Sequence, residues 1–81
     1  MAIKHFEHFE AISSAVPSQD GFDAVIGVKA REEGSEPIFH RVATERHFDL
    51  ASEAEEAADA ALSRVVEIAE DGNLLWEENA R

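Results

Sequence analysis

The amino-acid sequence predicts an α+β fold, a three-stranded antiparallel sheet in β-β-β-α order with one amphipathic C-terminal helix packed on one face. Three observations carry this expectation. Residues 22–31 alternate strictly, with Phe22, Ala24, Ile26, Val28 and Ala30 on one side and Asp23, Val25, Gly27, Lys29 and Arg31 on the other, the two-residue period of a half-buried strand. Two polar turn clusters bracket that strand, Pro17-Ser18-Gln19-Asp20-Gly21 before it and Glu32-Glu33-Gly34-Ser35-Glu36-Pro37 after it, and each supplies the residues that reverse a chain. Over residues 52–72, Ala54, Ala57, Ala58, Ala61, Leu62, Val65, Ile68 and Ala69 recur at steps of three and one, which places them on one face of a helix at 3.6 residues per turn.

The first stretch reads two ways. Phe6, Phe9, Ile12 and Val16 stand at helical spacing, whereas Phe9, Ala11, Ser13 and Ala15 form one side of a strand. The turn that follows leads directly into the strand of residues 22–31, so a hairpin with a first strand over 9–15 is the better reading. Residues 1–8 stay open between strand, helix and irregular chain. The inward set of the second strand is Phe22, Ala24, Ile26, Val28 and Ala30, facing the helix. A third strand is expected over 38–44, where Pro37 opens the run at a position that tolerates its missing N–H. Its register admits two choices, Ile38, His40 and Val42 inward or Phe39, Arg41 and Ala43 inward, and a slip of one residue exchanges them. The first choice buries Val42 and carries Phe48 with it.

The helix has legible ends. Ser52 and Glu55 stand at the spacing of a reciprocal capping box, and Gly72 supplies a stop because it takes the left-handed conformation without steric cost. Leu74, Leu75 and Trp76 then fold back over the core. The chain reads as a single domain over 1–81, with an ordered core of about 6–76 and a frayed tail at 77–81.

Composition narrows the function. A chain of 81 residues buries only about 60% of its unfolded surface, so its core is thin. Eighteen acids against seven Lys and Arg give a net charge of −11, which opposes phosphate backbones and anionic lipid. The sequence lacks cysteine, so it has neither a disulfide framework nor a thiol nucleophile, in keeping with a cytoplasmic setting. It has no apolar run of about 18 residues to cross a membrane and no basic-then-apolar leader pattern. The four glycines at 21, 27, 34 and 72 form no phosphate-cradling motif, which argues against nucleotide chemistry.

Histidines are the first candidates for chemistry. His5 and His8 in His-Phe-Glu-His-Phe-Glu would share a side only on a helix, and a metal site there would still need a third ligand. His40 and His47 flank Arg41, Glu45 and Arg46 without a recognisable nucleophile or paired buried carboxylate. The expectation is therefore no catalytic residue, no metal and no cofactor. Lys29, Arg31, Arg41 and Arg46 with Phe39 form a basic-aromatic group, but Glu32, Glu33, Glu36 and Glu45 offset it, so no direct nucleic-acid contact is assigned.

The sheet face away from the helix is the stronger lead. Val25, Phe39 and Ala43 set between Lys29 and Arg41 make an apolar patch in a charged frame, the make-up of a contact surface. Exposed edge strands offer a second route, by strand addition. On the helix, Glu53, Glu56, Asp59, Ser63, Glu67 and Glu70 form an acidic face that could imitate a row of phosphates.

Two stretches, Phe48-Asp49-Leu50-Ala51-Ser52-Glu53-Ala54-Glu55-Glu56-Ala57 and Gly21-Phe22-Asp23-Ala24-Val25-Ile26-Gly27-Val28, resemble small uncharacterised proteins of Gram-negative bacteria. In those proteins a hairpin with an aromatic residue after its turn precedes a "Phe, spacer, Glu-Ala, Ala" helix. The resemblance spans roughly residues 9–70 and implies the β-β-β-α fold without a chemistry. The chain is also similar to the sheet-plus-helix antitoxins that neutralise a small RNA-cleaving toxin, here without a DNA-binding segment after the helix. The expected function is thus a non-enzymatic module that binds a protein partner or a second copy of itself as a homodimer. The alternative is an antitoxin-like or nucleic-acid-mimicking inhibitor of a basic partner, and a histidine-based metal protein stands third.

Overall fold

The computed structural model describes residues 2–32, 34 and 36–77, and of the tail expected at 77–81 all but residue 77 lies outside the described residues. The elements are β1 (Ile3–His5), β2 (Phe9–Ser18), β3 (Gly21–Ala30), β4 (Ile38–Val42), α1 (Ala51–Leu62), β5 (Val65–Ile68) and β6 (Leu74–Trp76). The first four strands form one antiparallel sheet in the order β1-β2-β3-β4, and β5 and β6 form a separate antiparallel pair. The α+β class and the antiparallel sheet agree with the sequence. Two parts of the expectation are corrected: the main sheet has four strands rather than three, and the helix stands mid-chain rather than at the C-terminal end.

The additional strand comes from the stretch left open. Ile3, Lys4 and His5 pair with Ile12, Ala11 and Glu10 of β2, and the Ser13 amide donates to the Ala2 carbonyl at 2.9 Å. Among the described residues β1 reaches no further along β2, and the segment beyond Ser13 has no strand beside it there. Pro17 sits in this free part, paired across β3 with Phe22. The Phe22 amide points away from β2, to the Phe48 carbonyl at 2.9 Å, so the proline nitrogen of this non-hydrogen-bonded pair faces the open edge, where its missing N–H breaks no ladder.

The helix is shorter than its apolar pattern. It starts at Ala51 with Leu50 as an extended N-cap and no side-chain cap. Ser52 thus lies inside the first turn, and the expected capping box with Glu55 does not form. It ends at Ser63, whose hydroxyl donates to the Ala60 carbonyl at 2.7 Å. The last turn carries no basic residue of its own. Lys4 of β1 supplies one, its ammonium donating to the Val65 carbonyl at 2.6 Å and to the Leu62 and Ser63 carbonyls at 3.5 Å. A cation is favoured there because the terminal carbonyls are unsatisfied and carry the negative end of the helix dipole.

Val65 and Ile68, expected to continue the helix, instead begin a hairpin. A β-bulge between Val65 and Glu67 shifts the register, so residues three apart both point inward, Val65 at 0% and Ile68 at 6% exposure. The reversal follows a three-residue hairpin loop: the Gly72 amide donates to the Ala69 carbonyl at 2.8 Å, the Ala69 amide to the Asn73 carbonyl at 2.9 Å, and Gly72 has φ +91. Gly72 is therefore a hairpin residue in the left-handed region. The His40 ring joins this hairpin to β4: its Nε2 donates to the Gly72 carbonyl at 2.8 Å.

The core lies between α1 and the inner face of the sheet. Ala54, Ala57, Ala58 and Leu62 of the helix meet Ala11 of β2, Ala24, Ile26 and Val28 of β3, Val42 of β4, and Phe48 from the approach to the helix. Small side chains on both layers let the helix lie close on the sheet. The inward set of the second strand and the choice of Val42 as inward both match the sequence expectation. Ile38 shares that face but is 42% exposed at the rim. The molecule measures 39 × 34 × 18 Å, and its thin dimension holds one helix on one sheet, so among the described residues no layer covers the opposite sheet face.

Candidate interaction face

The open face is built by strand parity. Ile3 and His5 of β1, Glu10, Ile12, Ser14, Val16 and Ser18 of β2, Asp23, Val25, Gly27 and Lys29 of β3, and Phe39 and Arg41 of β4 stand on it together, as the register requires. Phe39 lies opposite Gly27, and its ring occupies the space that a side chain there would take: a Cβ on Gly27 would meet the ring at 3.0 Å. The glycine thus seats the ring flat across the sheet, with 66% of the residue still exposed. Ile12, Ser14, Gly27, Lys29, Pro37 and Phe39 enclose a shallow, mainly apolar depression of about 310 Å³. Ile3 adds a second exposed apolar side chain, at 57%.

Of the five residues expected on this face, four are there. Lys29 stands opposite Glu10, and Arg41 pairs with Asp23 at 3.7 Å. Phe39 is displayed. Val25 is on the face but only 3% exposed, so it forms the floor under Ser14 and Arg41, its direct neighbours. Ala43 is not on the face. β4 ends at Val42, and Ala43 takes φ +54, which breaks the strand alternation and turns the residue toward the core. Ile3, Ile12, Val16 and Pro37 were not singled out from the sequence. Ile12 and Val16 follow from the parity of β2 once Ala11 and Ser13 point inward, whereas Ile3 depends on a strand without a sequence pattern.

The chain matches no protein-family model, no curated protein and no solved structure. Roles for these residues therefore rest on their own geometry.

The expected acidic helix face is redistributed. Glu53 and Glu56 are exposed on α1, but Glu67 lies in β5 and Glu70 in the hairpin loop. Asp59 is turned inward, accepting a hydrogen bond from the hydroxyl of Ser13, which is wholly buried on β2. The five carboxylates consequently form no single row. The histidines are dispersed as well. His5 stands 3.4 Å from Glu10, His8 lies 3.9 Å from Glu7, and His47 donates to Asp49 at 2.8 Å. Among the described residues no three His, Asp or Glu side chains converge as a metal-ligand group, and no helix is long and apolar enough to cross a membrane.

Proposed function

We propose that the protein is a non-enzymatic cytoplasmic module that associates with a second copy of itself through the open sheet face. The observation that carries this reading is the pairing of exposed Phe39 and Ile3 with a face whose formal charges cancel. Glu10 and Asp23 stand beside Lys29 and Arg41, in a chain whose net charge is −11. Two copies repel one another over most of their surfaces, but not here, and across a two-fold axis Lys29 of one copy can meet Glu10 or Asp23 of the other. Face-to-face sheets pack about 10 Å apart through their side chains, a distance that a flat Phe39 ring and a low floor at Gly27 and Val25 accommodate.

Sedimentation velocity over a range of concentrations tests this. The wild-type chain should associate reversibly, and Phe39→Glu should weaken association more than tenfold, since covering two phenyl rings contributes about 3 kcal/mol or more. A wild-type chain that stays monomeric throughout, or a variant that associates equally well, would overturn the reading. Phe39 is exposed, so the variant keeps its core.

A further inference from the structure

A second concavity lies away from the open face, where the β4–α1 connection, the helix and β6 meet. It holds about 450 Å³ and is lined by Arg46 and Arg64, by Trp76, and by helix residues that include Ala57 and Ala60; Arg41 borders it from β4, but its side chain stands on the open face with that of Val25. Two of the seven basic residues of an acidic chain, Arg46 and Arg64, thus stand at one groove, and among its described lining residues Glu45 is the one acid. Their commitments elsewhere are light. Arg46 stacks its guanidinium on Phe48, 4.8 Å from the ring centre, a contact that uses its face and leaves its N–H edge available. Arg64 forms no ion pair among the described residues. Trp76 is 43% exposed, an indole held at the groove wall by the β5–β6 pairing of Val65 with Trp76. The alanines keep the floor low.

We propose that this groove binds a small organic anion carrying a flat ring, with its phosphate or carboxylate held by the guanidinium groups and its ring against Trp76. Guanidinium forks match both oxyanions in geometry, and an indole face accepts a planar ring. The size of the groove suits a small molecule. The charge distribution argues the same way: a polyanion would extend beyond the groove onto acidic surface, whereas a small anion within about 8 Å, the screening length at physiological salt, is governed by the nearby guanidiniums. This inference is independent of self-association, which uses the other face.

Trp76 is the only tryptophan, so its indole N–H gives a single, unambiguous NMR signal. Adenosine monophosphate and 2-naphthoate, a ring phosphate and a ring carboxylate, are titrated alongside adenosine and inorganic phosphate, which carry the ring and the charge separately. Saturable displacement of the Trp76 signal by at least one ring anion in the millimolar range or below is expected, with both controls at least tenfold weaker. Which ring anion binds distinguishes phosphate from carboxylate. Arg64→Gln, an exposed substitution, should weaken that binding about tenfold while the remaining spectrum stays in place. Failure of both ring anions to saturate the shift, equal binding by a control, or indifference to Arg64→Gln would overturn the proposal.

Discussion

Ser13 and Asp59 show how one polar contact sets the docking of a layer. The serine hydroxyl is fully buried, accepts from the Ala2 amide at 2.9 Å and donates to the Asp59 carboxylate, so it ties β1, β2 and α1 together. Ser13→Ala removes that donor and leaves the carboxylate without it against the sheet. A loss of about 1–3 kcal/mol is expected, measured by urea denaturation, while Ser14→Ala on the opposite face should be close to neutral. Asp59 reads as a solvated residue in the sequence because the flank it faces is covered by β1, and β1 has no pattern of its own: Ile3-Lys4-His5 offers one apolar residue, and its connection to β2 lacks glycine and proline. Ala43 was misplaced for a different reason. Strand parity predicts the outer face for it, but a single left-handed residue reverses the side chain, and nothing in alanine advertises that conformation.

At the level of elements, the alternation of β3 determines its pairing, its inward face and the position of the open face, all of which the sequence states correctly. The error lies after Leu62. Val65 and Ile68 fit a helix at a spacing of three, and a bulged strand produces the same inward spacing. Two signals in the sequence separate the cases: the β-branched cluster Val65-Val66-Ile68 favours a strand, and Glu70-Asp71-Gly72 before Leu74-Leu75-Trp76 is a hairpin loop as well as a helix stop. Gly72→Ala distinguishes the two roles. In the hairpin its Cβ would come within 2.6 Å of the Ile38 Cδ1 atom as well as straining a backbone at φ +91. It should therefore cost more than about 1 kcal/mol in chemical denaturation and raise amide exchange across β5 and β6. A pure helix stop would show only the backbone cost and no effect at Ile38.

Taken whole, the molecule combines a strongly acidic surface with two places where that charge is suspended, the balanced sheet face and the arginine groove. Composition foretells the acidity but not these exceptions, because Arg46 and Arg64 meet at one groove only after the helix, β4 and β6 are assembled. Salt should act on the two in opposite directions. Raising ionic strength shortens the screening length from about 30 Å at 0.01 M to about 8 Å at 0.15 M, which relieves repulsion between copies and should tighten self-association in sedimentation. The same change weakens the guanidinium–anion attraction and should loosen ring-anion binding followed at Trp76. Parallel responses would argue against one of the two assignments.

The clasp of Lys4 on the Val65 carbonyl spans 61 positions of sequence, and this separation bears on how the chain acquires its structure in time. The helix cannot receive its terminal cation until the first strand meets a chain that is almost complete, whereas the bond of Ser13 to Ala2 spans only 11 positions and closes locally. The longer loop closes late because its entropy must be met before its contacts form. The β1–β2 and β2–β3 hairpins, joined through residues 6–8 and through residues 19 and 20, are the local units that can form first, with the helix end closing onto Lys4 as the late step.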